Sequence, residues 1–388
     1  MLLATAATAT AADDVKFEFH GFVGASLYTE NAVMNSGGGQ AAWFVSAVPT
    51  VDKSVLGGDV RQSRLNFTLT GPQLWENATA RAFAEIDFFG TTPAGPLNDV
   101  SISPRLRVAF AELKLGNSGT VIRAGQDHDL VLGIILPTTV GHVAFPLSYQ
   151  SGTIGWRRPQ IAGYQTFALG PDFKLELALA IGRANWTAAT PAEAALGQAS
   201  GKPSYEGRVK LQHKIFEAFA ATHYSQIDVN GQGVATAPGA NGTLDTTVFN
   251  IGGKVSYLGA TLQGSAYTGK NLGPLAGDLL QWQPAANLAL PGGVDVSEVG
   301  YWLQAGYTIP VLPELSVWAL TGLANPDDAD LVKAGLTRSR NQTSSFLVRY
   351  QNKGYTAGIE YSIFRTAYTN LPDVQKAEQF MLSGMYFF

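Results

Sequence analysis

From residue 15 onward the chain reads as segments of about ten residues in which apolar and polar side chains alternate between turn-forming clusters, and no other feature constrains its fold as tightly. A period of two sends successive side chains to opposite faces of a strand. Near residue 388, Phe380, Leu382, Tyr386 and Phe388 fall on one face and Gln379, Ser383 and Phe387 on the other. In 16–28, Phe17, Phe19, Val23, Ala25 and Leu27 oppose Lys16, Glu18, His20 and Ser26. Residues 60–70 set Leu65, Phe67 and Leu69 against Arg64, Asn66 and Thr68, and 79–89 set Ala82, Ala84, Ile86 and Phe88 against Arg81, Glu85 and Asp87. No stretch approaches the roughly 20 consecutive apolar residues of a membrane helix. A membrane could then be crossed only by a closed barrel, the other architecture that satisfies every backbone polar group in lipid.

The pattern predicts an all-β, transmembrane antiparallel β-barrel over 13–388. Sixteen strands are expected, at 16–28, 60–70, 79–89, 104–115, 119–126, 152–167, 172–186, 203–214, 216–229, 245–257, 259–269, 296–309, 314–323, 343–351, 354–366 and 375–388. Boundary errors of about two to four residues leave fourteen to eighteen open. Long Gly/Asn/Asp/Pro-rich connections near 30–58, 90–103, 127–151, 187–202, 230–244, 270–295, 324–342 and 367–374 alternate with tight turns such as 116–119, 170–171 and 352–354. An even count brings both termini to the short-turn, periplasmic end and turns the long loops outward. Residues 1–12 read as the small-residue end of a signal peptide, with Ala-x-Ala choices before Asp13.

Composition narrows the chemistry. The 388 residues include no cysteine, which removes disulfide scaffolds, zinc ribbons and thiol catalysis and suits an oxidising envelope compartment. A net charge of −4 gives no case for nucleic acid. No cofactor is implied. Trp75, Trp156, Tyr164, Trp186, Tyr205, Tyr257, Tyr267, Trp302, Tyr307, Tyr355 and Tyr386 cluster towards strand ends, either as a headgroup-level girdle or because strands favour aromatics.

A sixteen-stranded barrel leaves an aqueous channel, so function is expected in whatever narrows the lumen and in the charges displayed there. The segment 126–146, in the third long connection, is too apolar for an exposed outer loop. Packing Leu130, Leu132, Ile134, Ile135 and Leu136 on the inner wall would leave Asp127, His128 and Asp129 to line the bore; the alternative is a cover over the mouth or a contact with a neighbouring subunit. Opposite it, Arg64, Arg81, Arg105, Arg107 and Arg123, with Arg157 and Arg158 nearby, concentrate planar, permanently charged guanidinium groups. Facing Asp127, Asp129, Glu85 and Asp87 they would set up a transverse field that orients dipolar solutes and, with Arg in excess, favours anions. Neutralising pairs that only stiffen the wall are the other reading of the same residues.

The segments 60–71, 82–90, 104–112 and 122–126 are similar, in order and pattern, to DcaP-like trimeric porins and, more loosely, to the phosphate-selective porin O/P family. The terminal strand resembles that of Gram-negative outer-membrane barrels, whose final Phe is read by the assembly machinery, here Phe388. The resemblance implies a homotrimer of sixteen-stranded barrels in contact with outer-membrane lipid and lipopolysaccharide, a folded-in third loop, and a basic eyelet for small anionic or neutral solutes. Arg64, Arg105, Arg107 and Arg123 would supply its basic wall and Gly125-Gln126 would open the constriction loop. Two departures stand out. The amino-terminal coiled-coil stretch of DcaP-like porins has no counterpart, and the later strands carry no long ladder of Lys and Arg, which weighs against strict phosphate selectivity.

Other classes find less support. A hydrolytic barrel would need a nucleophile; His20, His128, His142, His213, His223 and Ser148 are present without a Gly-x-Ser-x-Gly elbow. Asp127, His128 and Asp129, or Asp327, Asp328 and Asp330, supply oxygen ligands for a divalent cation, but a charged run in an outer loop is ordinarily solvated, and no metal is expected. A receptor or adhesin role is compatible with the long loops.

Overall fold

A computed structural model describes residues 15–34, 38–48, 54–90, 103–184, 201–228, 243–281 and 294–388. The expected leader at 1–12, Trp186 and parts of the long connections lie outside the described residues. The strands are β1 (Lys16–Glu30), β2 (Val55–Asp59), β3 (Arg64–Gln73), β4 (Thr79–Gly90), β5 (Ser103–Leu115), β6 (Thr120–His128), β7 (Arg157–Ala168), β8 (Lys174–Gly182), β9 (Ser204–Gln212), β10 (Phe216–Asp228), β11 (Thr243–Tyr257), β12 (Ala260–Lys270), β13 (Ser297–Thr308), β14 (Leu315–Pro326), β15 (Arg338–Asn352), β16 (Tyr355–Tyr368) and β17 (Gln375–Phe387). A helix, α1 (Asp328–Ala334), follows β14.

Each strand pairs antiparallel with its neighbours, and β1 closes the ring on β17 from Phe22↔Phe387 to Glu30↔Gln379. The first half of β1 pairs with β3 and its second half with β2. β2 and β3 are thus two lengths of one stave, and the barrel has sixteen. The break between them is held by Asp59, whose carboxylate accepts from Arg61 N, Nε and Nη2, each at 2.9 Å. Closure satisfies the ladder all round and leaves no open edge.

The alternation sorts as expected. Outward side chains such as Val23, Ile161 and Leu179 are exposed and apolar, while inward ones such as Ser26, Asn250 and Gln304 are buried and polar. A girdle requires outward, exposed rings, and Trp75, Tyr205, Tyr257, Tyr307, Tyr355 and Tyr386 are exposed. The expectation fails for Tyr267 and Trp302, whose register turns them inward into the barrel core, and for Trp156, which lies in an inward loop just before β7. Tyr164, half-buried on β7, also faces in, against Leu130 and Ala162.

Three local differences from expectation follow. The strand expected from 152 begins at Arg157, because Gly152 (φ +116) and Gly155 (φ +103) hold a backbone that side-chain-bearing residues avoid. Residues 55–59, expected as loop, form β2. The acidic run after Pro326 starts α1: Asp327 accepts from the backbone N–H groups of Ala329 and Asp330 at 3.0 Å each, and Asp328 and Asp330 occupy the first turn, where the helix dipole favours negative charge.

The hydrophobic core sits inside the barrel. Val131, Ile135, Leu147 and Ile154, all from the third loop, pack against Phe219, Val248, Tyr267, Trp302 and Leu320 of β10 to β14, and Val140 packs against Phe22, Trp318, Leu347 and Met385.

Candidate pore and constriction

The third loop, 129–156, is fastened at its neck and then follows the inner circumference. Asp129 N donates to Trp156 O at 2.9 Å and Trp156 N to Asp129 Oδ2 at 2.8 Å, tying the two ends together. Arg158 grips the same carboxylate through Nε and through Nη2 (2.9 Å), and its Nη1 donates to the carbonyls of Arg183 and Ala184. Neither side chain of this pair has any exposure.

Beyond the neck, successive residues of the loop meet successive strands of the wall. Leu130 N donates to Glu206 on β9, and Asn250 Nδ2 on β11 donates to Val131 O at 2.7 Å. Gln304 on β13 grips Thr138 at both its N and its O, 2.7 Å each. Glu360 on β16 accepts from Thr139 Oγ1, Val140 N (2.6 Å), Gly141 N (3.2 Å) and His142 Nδ1 (2.7 Å); a carboxylate only accepts, so the imidazole proton is assigned to Nδ1. Arg64 on β3 and Arg107 on β5 then reach the carbonyls of Val143 and Ala144. The limb returning to the neck is held by Asn341 (to Gln150 O, 2.9 Å) and by Leu275 O (from Gly155 N, 2.9 Å).

Burying each large apolar side chain contributes on the order of 1.5–3 kcal/mol. A neutral hydrogen bond contributes about 0.5–1.5 kcal/mol. Apolar contact therefore holds the loop to the wall, and the amides and carboxylates fix its register. Of the residues expected to pack inward, Leu130 and Ile135 are buried, Leu132 and Ile134 half-buried, and Leu136 remains exposed.

What the loop leaves bare is the wall from β3 to β9, and two cavities run along it. The one nearer the long-loop end, about 280 Å³, is bordered by Arg64, Glu85, Arg107, Tyr149, Trp156 and Arg157 among others. The one nearer the short turns, about 470 Å³, is bordered by Arg81, Glu112, Arg123, Tyr164, Glu176 and Arg208 among others. They share Asp127, His128, Leu132 and Leu136 and so lie next to one another along this wall. Tyr149 is buried, and its phenol is held well above its usual ionisation range by loss of hydration.

The charges along this wall are interlocked. Arg107 lies 2.7 Å from both Glu85 and Asp87, Arg105 holds Asp87 at 2.6 Å, and Arg64 stands 3.8 Å from Glu85. Arg123 pairs with Glu112 (2.6 Å) and with Asp127, while Arg81 reaches Glu112 at 3.5 Å. His128 lies 3.5 Å from Asp127. Arg208 and Lys210 share Glu176 at 3.2 and 3.3 Å. Arg157 stacks over Trp156, 4.6 Å from the ring centroid, and has no ion pair among the described residues; its Nη1 and the Nε of Arg64 are buried donors without acceptors. In this network, Arg157 included, eight basic side chains (Arg64, Arg81, Arg105, Arg107, Arg123, Arg157, Arg208, Lys210) stand with five acidic ones (Glu85, Asp87, Glu112, Asp127, Glu176), three more positive than negative charges.

Three expected lining residues stand elsewhere. Asp87 and Arg105 border neither cavity, because Asp87 is spent as a clamp between Arg105 and Arg107. Arg158 is sealed in the loop neck. Asp129 borders the lower cavity, but its carboxylate is wholly buried on Arg158. Sequence reasoning missed Glu112, Glu176, Arg208 and Lys210, although Arg208 and Lys210 sit two apart on the wet face of a predicted strand.

His142 and Ser148, weighed for hydrolysis, are engaged separately, His142 with Glu360 and Ser148 Oγ with Thr153 Oγ1 at 2.6 Å. A Ser–His–carboxylate chain does exist as Ser225, His223 and Glu206, with 2.8 and 2.7 Å spacings. All three are buried, and none borders either of these two cavities.

Sixteen staves, a closed ring and an inward third loop define the class as a channel-type β-barrel. The chain aligns over 96% of its length, and 97% of the other, with the outer-membrane channel DcaP of Acinetobacter baumannii, at 15% identity and a TM-score of 0.72. Salmonella typhi OmpF, solved with daunomycin, aligns over 96% and 98% of the two chains at 13% identity and a TM-score of 0.60. Vibrio cholerae OmpT, an outer-membrane protein, aligns over 97% and 99% at 11% identity and a TM-score of 0.55. At these identities the likeness is one of fold, and the DcaP-like architecture expected from the early strands is met at that level. No protein-family model and no curated protein matches the chain.

Proposed function

We propose that this chain is an outer-membrane porin, a homotrimer of barrels in lipid and lipopolysaccharide, through which small hydrophilic solutes diffuse passively with a mild preference for anions such as carboxylates. The observation that carries the reading is the one-sided wall: arginine-rich β3 to β9 faces a loop whose apolar side chains are spent on the opposite wall. A solute between them meets fixed positive charge on one side and a low-polarity surface on the other, which favours and orients anions. The assembly machinery, reading Phe388, is the expected route into the membrane.

Reversal potentials in planar bilayers under a salt gradient test this directly. Anion preference is expected; cation preference would overturn it. A second reading, a substrate-specific channel for phosphate or dicarboxylate, is favoured by the unspent donors of Arg157 and Arg64. It predicts that conductance of such an anion saturates with concentration while that of chloride does not.

A further inference from the structure

The short-turn rim of the barrel exposes large apolar side chains at every turn along one arc. Between β7 and β8 the turn exposes Leu169 and Phe173 and between β9 and β10 Ile215, beside an exposed ion pair of Asp172 and Lys214 (3.3 Å) that joins these two turns; between β11 and β12 it exposes Leu258, and between β13 and β14 Val311 and Leu312. These four turns are consecutive around the ring. The turn between β5 and β6 is Gly116-Asn117-Ser118-Gly119, and that between β15 and β16 carries Asn352 and Lys353. Trp75, between β3 and β4, repeats the apolar tip once, apart from the arc.

Two of the tips are held in place at a cost. Val311 is 93% exposed, yet its turn is fixed by Leu312 N to Ile309 O (3.0 Å), Ile309 N to Leu315 O (3.0 Å) and flanking prolines. Leu258 is 78% exposed and sits at φ +48°, a left-handed conformation that suits Gly or Asn and strains a branched side chain. The corresponding slot between β15 and β16 holds Lys353 at φ +51°. In water a leucine there is unfavourable twice, in backbone and in side chain. Against hydrocarbon its exposure becomes a gain.

The arc also continues a surface already assigned to lipid. Val255, Tyr257 and Leu262 flank Leu258 on the outward face, and Tyr307 leads into the turn that bears Val311. We infer that the rim from β7 to β14 is seated in the inner leaflet of the bilayer, its turn tips reaching the boundary between headgroups and acyl chains, while the turns β5–β6 and β15–β16 stand in water. The partner is a phospholipid surface, and the barrel's apolar belt is taller on this arc than beside Ser118 and Lys353. The inference rests on the membrane-spanning reading above.

The absence of cysteine allows single reporters. Leu258→Cys, Val311→Cys, Ser118→Cys and, on the outward face of β8, Leu179→Cys in the full chain are labelled with an environment-sensitive fluorophore. They are reconstituted into lipid nanodiscs, where both faces meet solvent. Blue-shifted emission quenched by doxyl-labelled phospholipid is expected at 258 and 311 as at 179, with iodide quenching confined to 118. If 258 and 311 are quenched by iodide while 179 is not, the rim stands in the periplasm and this inference fails, leaving the barrel reading intact. If 179 is also quenched by iodide, the membrane reading itself fails. Should Leu258→Cys fail to assemble, Ile215→Cys carries the same comparison.

Discussion

The two halves of the inner wall are made of the same alternating strands, yet they do opposite things with their inward positions. From β10 to β17 those positions hold Phe219, Val248, Trp302, Leu320 and Leu347 with amides and scattered charged side chains such as Glu298, Arg349 and Glu360, and the third loop packs on the apolar ones. From β3 to β9 they hold mostly arginine and carboxylate, of which Arg64, Arg107, Arg158 and Glu206 bond to the loop. Inward polarity alone therefore does not locate a passage. An inward polar group lines the bore where its neighbours are charged, because a dense charge network cannot be covered by an apolar loop without desolvating it. It serves as a fastening where its neighbours are apolar.

The strongest way to break this division is at the seam, where Asp129 and Arg158 are buried together. Asp129→Ala strands an uncompensated guanidinium, a loss of about 3–5 kcal/mol. The folded, SDS-resistant form should be lost at a markedly lower temperature. Adding Arg158→Met removes the stranded charge and should recover most of the loss; an unaltered transition in the single variant would show that the neck does not hold the loop.

Removing the covering tests the other half. Deleting 130–136 takes away Val131 and Ile135 from the apolar contact, and the lumen should open towards its bare diameter. Single-channel conductance should rise by roughly twofold or more if the loop sets the narrowest section, as expected of a barrel this wide. Unchanged conductance would put the constriction elsewhere.

The bare wall is tested by charge. Arg157→Gln removes a cation without an ion pair among the described residues; for an anion passing at ~6 Å in a water-like dielectric this is worth about 0.7 kcal/mol, or roughly threefold in local anion concentration. The reversal potential should move towards zero. Arg105→Gln should move it far less, since Arg105 borders neither cavity and is paired with Asp87. Equal shifts would mean that the wall acts by its sum and not by its exposed members.

Much of this was legible in the residues. The alternation gave the ring and the facing of Arg64, Arg107 and Arg123, because a period of two is a local property. The apolar run at 130–136 gave the inward loop, because an exposed loop does not spend five large apolar side chains on water. What stayed hidden was pairwise. Nothing local distinguishes Arg157, left unpaired, from Arg158, sealed against Asp129, since that depends on where the loop neck closes. Glu360 and Gln304 looked like any wet-face residues until the loop backbone lay across them. The acidic run at 327–330 has the form of a helix cap, a signal that the sequence does carry.

The smallest expected effect carries the sign that matters most. Glu176 is the acid that offsets Arg208 and Lys210 at the lower end of the passage, and it is partly solvated. Glu176→Gln leaves the side-chain shape and makes the wall one charge more positive. At ~10 Å, with screening over about 8 Å at physiological salt, the change is about 0.1 kcal/mol, or roughly a fifth in local anion concentration. The reversal potential should shift slightly towards stronger anion preference, opposite to Arg157→Gln, and the shift should vanish at high salt. A shift of the same sign as Arg157→Gln would mean that the Arg208 pair holds the wall's shape, and that its charge is not read by the solute.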